Sequence, residues 1–412
     1  MSNVLIVGGG AAGMAAAVFA AEAGCTAELF EQNEKLGKKL FITGKGRCNF
    51  TNACDTEELF RNIVTNPKFL YSAFYGFDSG RAVDFFERLG VKTKVERGGR
   101  AFPYSDHSSD IIRALERRMK ELGVKVHLNT RVRGLWTEED AAAGLVLEDG
   151  SRVRGDSVIV ATGGCSYRST GSTGDGYRFA ESTGHTVQEP HPALVPLVTA
   201  EEYIPRLQGL SLRNVSLKIG RGKKTYFEGF GEMLFTHFGI SGPLALSASS
   251  YIGRYLKAGF LSAEIDLKPA LSDEQLDARL LREFDCARNR QFKNAAAPLF
   301  PARLLPVMLE LGGIPGDKPV HEITRQEREG FAEKIRHFPF TITGTRGWQE
   351  AIITQGGVNV REINPSTMES RKKKNLYFIG EVLDVDGVTG GFNLQIAWAT
   401  ARAAALSAAG KE

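Results

Sequence analysis

The sequence predicts an α/β fold: a domain discontinuous along the chain, interrupted by a β-barrel-like insertion and a small helical subdomain. Three observations support this expectation. Residues 4–31 alternate strand, glycine turn, helix and strand. The composition shifts at Pro190, Pro192, Pro196 and Pro205, after which apolar and polar residues alternate with period two. Short strands and an alanine-rich helix then return towards the C-terminus. The expected boundaries are 1–189 with 340–412 for the discontinuous domain, 190–271 for the β-rich insertion and 272–339 for the helical subdomain.

In chain order, Val4–Val7 reads as a strand, Gly8–Gly13 as a turn, Met14–Ala23 as a helix and Ala27–Phe30 as a second strand ending at Glu31. This is a βαβ unit. A helix over Asp110–Leu122 and strands near Lys125–Leu128, Ala143–Leu147 and Ser157–Ala161 keep the α/β character. Ser216–Ile219, Thr225–Phe227 and Ser262–Ile265 alternate as strands, so 190–270 is expected to be all-β. Ser272 followed by Asp273 and Glu274 is a helix start, and charged amphipathic stretches continue to Arg336. From Thr341 short strands resume, ending in Leu376–Ile379 and a closing helix near Leu394–Ser407 whose alanines permit close packing.

With 412 residues the chain can bury a large core, and its 46 glycines imply many tight turns and close backbone approaches. A net charge of +4 is too mild to argue for nucleic acid by itself. The five cysteines are scattered, with no C-x-x-C pair and no histidine at zinc-finger spacing, so a reduced protein without structural metal is expected. The N-terminal apolar run leads into glycines as a strand does, not as a secretion signal, and no apolar stretch reaches the roughly 20 residues that span a bilayer. A soluble, cytoplasmic protein with no membrane partner is the expectation.

The chemistry begins at Gly8-x-Gly10-x-x-Gly13. A strand precedes this turn, a helix follows it, and the next strand ends in an acid, Glu31. Such a turn lets the backbone approach a pyrophosphate at a helix N-terminus, while the carboxylate accepts from ribose hydroxyls. A dinucleotide is implied, with NAD and FAD both open at this point. Next comes Gly37-Lys38-Lys39-Leu40-Phe41-Ile42-Thr43-Gly44-Lys45-Gly46-Arg47-Cys48-Asn49-Phe50-Thr51-Asn52, whose glycines, cations and short amides suit phosphates and a flavin ring.

On this stretch the chain resembles the YhiN/BaiN-like flavoproteins, also called the aminoacetone oxidase family of FAD-binding enzymes. Two later segments fit. Val158-Ile159-Val160-Ala161-Thr162-Gly163-Gly164 is similar to the second FAD-contacting element of flavoproteins with a glutathione-reductase-like Rossmann domain. Asn375 to Asp384, followed by Gly390-Gly391-Phe392-Asn393-Leu394-Gln395, is similar to the third. A site for NAD alone would not need this C-terminal return, so FAD is preferred. The resemblance implies noncovalent FAD contacts at Gly8, Gly10, Ala11, Ala12, Gly13, Glu31 and Gln32. It implies others at Lys38, Lys39, Thr43, Gly44, Arg47, Cys48, Asn49, Thr51 and Asn52, although a packing role is favoured for the Cys48 thiol. Val132, Ala161, Thr162, Gly163, Gly380, Glu381, Asp384, Gly391, Phe392, Asn393, Leu394 and Gln395 complete the set. No second G-x-G-x-x-G follows a strand, so NAD(P)H is expected only as a transient reductant.

Candidate catalytic groups are His191 and His237. Gly171–Gly176 and Glu189–Pro192 resemble loops that fumarate-reductase-type flavoproteins place beside the flavin ring, which makes His191 a donor of a hydrogen bond or proton. His237 lies in an apolar context that suits a structural histidine. The basic clusters Arg221–Lys224 and Arg371–Lys374 read as solvated turns, since aromatic residues interleaved with the cations are not evident in sequence. The expected function is an NAD(P)H-dependent reductase passing a hydride through flavin N5 to an unsaturated organic small molecule. Other activities implied by the resemblance are a peroxide-producing amine oxidase and a ribosomal RNA dihydrouridine synthase, with ribosomal RNA as partner. A flavin-bound interaction module is the non-enzymatic alternative.

Overall fold

The computed structural model describes residues 2–411. The chain divides into two compact units, one made of everything up to Pro192 together with everything from Ala351 onward, the other of Ala193–Glu350.

The first unit is built on a five-stranded parallel sheet. Its strands are β1 (Asn3–Val7), β2 (Thr26–Phe30), β3 (Lys125–His127), β4 (Ser157–Val160) and β5 (Leu376–Phe378), in the order β5-β4-β1-β2-β3. A parallel sheet covered on both faces needs strands apolar along their whole length. Val4, Leu5 and Ile6 are buried, as is every residue of β4 and β5. Helix α1 (Ala11–Glu22) is buried continuously from Ala12 to Ala20, so it has no amphipathic face to present. It packs against α3 (Phe392–Ala408), whose alanines let the two backbones come close. A shorter helix, α2 (Asp175–Ser182), follows the Gly171–Gly174 turns.

The register positions the site. Val7 is level with Val160, and Val160 with Phe378. Gly8, Ala161 and Ile379 therefore leave three neighbouring strands at one edge, with Ala161 N–H donating to Val7 O and Ile379 N–H to Val160 O. Three segments separated by hundreds of residues become adjacent at the carboxyl ends of parallel strands, where open α/β sheets bind ligands.

In the second unit a closed six-stranded barrel runs in the order Leu197–Thr199, Gly239–Ser241, Lys224–Phe235, Ser211–Arg221, Leu261–Asp266 and Phe338–Thr345. The expected return to the first unit at 340 falls inside the last of these strands, which pairs with both Leu261–Asp266 and Leu197–Thr199 and so closes the barrel. The return comes instead at Ala351. Nor is 190–270 all-β. Pro243–Leu256 is a helix, with Leu244, Ala245, Ala248 and Ile252 buried at helical spacing against the barrel. The helical stretch after Ser272 starts with the expected cap, a reciprocal box between Ser272 and Gln275. Its Leu280, Phe292 and Phe331 share one apolar core with barrel residues Phe235 and Phe338, so helices and barrel form a single unit. Among the described residues no helix is long and apolar enough to cross a membrane.

Candidate functional site

The glycine turn is shaped by close approach. Gly8 sits at φ +106°, and a Cβ there would stand 2.6 Å from Ala161 O; a Cβ on Gly13 would overlap Gly8 O. These two glycines press α1 against β1 and β4. No side chain caps α1 at Gly10, and its first turn carries no acid. Its leading N–H groups, including those of Ala11 and Ala12, are thus left for an anion at the positive end of the helix.

Glu31, only 8% exposed, is fixed beside that turn. Its Oε2 accepts from Gly9 N at 2.6 Å, and its Oε1 from Asn33 N at 2.8 Å and Asn33 Nδ2 at 2.6 Å. A carboxylate offers about four acceptor positions, so one remains for a hydroxyl. Gln32 donates through Nε2 to Gly171 O, tying the strand end to the loop before α2. Val132 is buried in a separate antiparallel sheet, where it pairs with Leu147.

The long loop divides into groups spent on the protein and groups left over. Arg47 gives its guanidinium to Glu96 and Asp106 and lies 4.1 Å over the Phe102 ring. Those partners take four of its five N–H donors, so it orders the loop. Cys48 is wholly buried, and burial pushes its thiol up to about 12, which suits packing and excludes a working thiolate. Thr43 Oγ1 donates to Leu40 O, beside Gly44 in the left-handed region, and Lys38 Nζ donates to Asn33 Oδ1.

The loop's end is bound to the start of α3. Thr51 Oγ1 donates to Gln395 Oε1 at 2.6 Å, and Gln395 Nε2 to Phe77 O at 2.7 Å. Asn52 Nδ2 donates to the carbonyls of Gly98 and Gly390. Gly391, at φ +99°, passes so close that a Cβ would run into the Thr51 backbone. Asn393 is held by Gly387, donating to its carbonyl and accepting from its N–H. The side chains of Thr51, Asn52, Asn393 and Gln395 therefore build the wall, and buried Phe392 and half-buried Leu394 complete the first turn of α3. What they leave for a ligand is the backbone of that turn.

A polar network joins the loop to the third segment. Lys39 Nζ donates to Glu381 Oε2 at 2.7 Å and to Ser166 Oγ at 2.6 Å. Glu381 Oε1 accepts from Thr354 N at 2.8 Å and from Ser166 Oγ at 3.1 Å. Thr354 Oγ1 in turn accepts from Cys165 N and Ser166 N. Ser166 and Thr354 escaped the sequence reading; the only local signal was the glycine pair Gly356-Gly357 after Thr354. Asp386 escaped it too. It is 1% exposed, with Gln355 Nε2 lying 3.2 Å from each carboxylate oxygen, and burial pushes its pKa up to about 6. Asp384 accepts from Asn66 Nδ2 and is likewise pushed up by burial.

The groups left over match the chemistry of a flavin dinucleotide. Asn49 Oδ1 and Thr162 Oγ1 are buried without a hydrogen-bond partner among the described residues, one in the long loop and the other where β4 ends before Gly163. Thr162 Oγ1, the leading N–H groups of α1 and the spare position on Glu31 are unmet polar demand around the strand ends, which phosphates and a polyol would satisfy.

The two candidate histidines fall in different units. His191 lies in the strand Val187–Ala193, its Nε2 3.5 Å from Glu189 Oε2. His237 is exposed in the turn between two barrel strands, with its ring edge-on to Phe238; the apolar neighbours in sequence do not bury it. Of the basic clusters, Arg371–Lys374 is largely spent: Lys372 Nζ reaches Gly184 O and Glu362, and Lys373 Nζ reaches Glu139 O.

The parallel sheet, the glycine turn with its acid and the C-terminal return define an FAD-dependent oxidoreductase with a Rossmann nucleotide-binding domain. The family model described as HI0933-like protein Rossmann domain matches residues 2–407, and the chain belongs to that family. It is 34% identical over 413 residues to a 3-dehydro-bile acid delta(4,6)-reductase of Clostridium scindens, covering 99% of each chain. It is 32% identical over 410 residues to a ribosomal RNA dihydrouridine synthase of Haemophilus influenzae, covering 98% of each. Among solved structures a quinol-fumarate reductase superposes with a TM-score of 0.53 at 17% identity, over 100% of this chain and 71% of that one, a likeness of fold.

Proposed function

We propose that this chain reduces a polarised carbon–carbon double bond in an organic small molecule, with NAD(P)H as the source of the hydride. The observation that carries the reading is the convergence of Gly8–Gly13, Ala161–Gly163 and Gly380–Glu381 at one sheet edge, linked to the long loop by Lys39 and Glu381. The two relatives support the reaction class, since both names describe saturation of a carbon–carbon double bond. FAD, when bound, supplies a carrier that takes up and gives out a hydride at N5. The chain's own residues would hold it. The N-terminus of α1 takes the pyrophosphate, Glu31 accepts from ribose, and Lys39 places a positive charge beside Glu381. The N-terminus of α3, held in place by Thr51 and Gln395, favours negative charge on the group that faces it. His191 is the proposed proton donor to substrate.

Anaerobic mixing of the purified yellow protein with NADH, NADPH or a panel of small amines tests this. Rapid bleaching of the flavin band by a nicotinamide, reversed by a conjugated enone, is the expected result. Bleaching by an amine alone, with peroxide formed in air, would replace the proposal with an amine oxidase. Inertness to every reductant, together with a stable partner in pull-downs, would replace it with an interaction module.

A second reading, reduction of a uridine in ribosomal RNA, is favoured by one feature of the barrel unit. Tyr226 and Tyr255 stack with centroids 3.9 Å apart, Lys224 lies over the first ring and Arg254 over the second. Nearby in sequence, Phe260 is 66% exposed. Cations interleaved with aromatic faces are what single-stranded RNA binds. The sequence hid this arrangement because Tyr255 reaches Tyr226 only through helix packing.

A further inference from the structure

Helix α2 brings a polar group to the cofactor edge that neither the motifs nor the relatives assign. Its start is packed by two glycines. A Cβ on Gly174 would stand 3.0 Å from Cys165 Sγ and 3.4 Å from the Tyr177 ring. One on Gly176 would overlap Thr162 Oγ1 and stand 2.7 Å from Val382 Cγ2. The first turn of α2 is thereby pressed onto the turn after β4 and onto the segment carrying Glu381. Tyr177 lies within this packing and is 7% exposed, yet its hydroxyl is buried without a hydrogen-bond partner among the described residues. Buried tyrosines ordinarily find a partner for the O–H, and an unmet one is costly. Burial, followed by the nearby Glu381, Cys165 and Asp384, pushes the phenol's pKa up, which keeps it a neutral donor.

We infer that the Tyr177 hydroxyl is a further cofactor-binding group, donating to an oxygen of FAD at the edge where Thr162 and Glu381 lie. The inference rests on the FAD reading above. It also accounts for a tyrosine where phenylalanine would fill the same apolar space.

Tyr177→Phe tests it, because it removes the oxygen and keeps the ring. The full chain is stripped of flavin and titrated with FAD by fluorescence, and the thermal midpoint of the stripped protein is recorded for wild type and variant. The expected result is FAD binding about tenfold weaker in the variant, with a stripped-protein midpoint equal to or above wild type, since an unmet hydroxyl has gone. Equal FAD affinity in the two proteins would overturn the inference, most directly if the variant's midpoint also fell, because the hydroxyl would then serve the fold. A wild-type chain that takes up no FAD would sink the cofactor reading itself, and this inference with it.

Discussion

Replacing Asp386 by asparagine should stabilise the protein above neutral pH and leave it unchanged in acid. Asp386 is buried in the short ladder opposite Thr65. The groups facing it are Gln355, Thr65, Asp384 and Glu381, with no cation among them, and burial raises its pKa from 3.8 to about 6. A carboxyl whose folded pKa lies above its unfolded one favours the fold only while protonated. That contribution is complete below 3.8 and is lost as pH rises through about 6. The shift of about two units, at about 1.4 kcal/mol each, amounts to about 3 kcal/mol of destabilisation of wild type at pH 8. Asparagine keeps the shape and the acceptor for Gln355 without the charge. At roughly 2 °C per kcal/mol for a unit of this size, the variant's thermal midpoint should exceed wild type by on the order of 6 °C at about pH 8. Near pH 4 the two should coincide. Midpoints measured by circular dichroism across this range decide the matter. A difference that does not vary with pH, or a variant less stable than wild type at pH 8, would refute the argument.

Three further outcomes are expected. Lys39→Met leaves Glu381 with its Thr354 and Ser166 donors but removes the bond to the long loop, so FAD affinity measured by fluorescence titration should fall about tenfold, one charge-assisted hydrogen bond being worth about 1.5–3 kcal/mol. Gly391→Ala forces a Cβ into the Thr51 backbone at a left-handed φ, with strain alone of about 1–2 kcal/mol; the protein should purify largely without flavin and with a lowered midpoint, and full flavin occupancy would contradict this. If ribosomal RNA is the substrate, Lys224→Gln with Tyr226→Ser should weaken binding of an RNA fragment at low salt while leaving nicotinamide oxidation intact, and unchanged RNA binding would remove that reading.

Much of the first unit could be read in the sequence because its requirements are local. The apolar runs of β1 and β4, the Gly8–Gly13 turn and Glu31 at the end of β2 each follow from what a short stretch must bury or leave bare. In the long loop the sequence displays glycines, cations and amides but not which of them the protein itself engages. Arg47 looked like a phosphate ligand until Glu96 and Asp106, some fifty residues away, were seen to occupy it. Thr51 and Gln395 looked like two contacts and proved to be each other's partners. Ser166, Thr354, Tyr177 and Asp386 carry no motif, and only the packing of distant segments brings them to the same edge or buries them.

The sequence by itself determined the βαβ unit and its dinucleotide turn, because periodicity, glycine spacing and acid placement act within one short stretch, while FAD in place of NAD followed from the resemblance of the long loop and the C-terminal return to a flavoprotein family. Tertiary structure alone decided where the barrel closes, that a helix lies within the insertion, and which polar groups remain without a partner. A hydrogen bond is a relation between two residues, and nothing in the first of them specifies how far along the chain the second will be found.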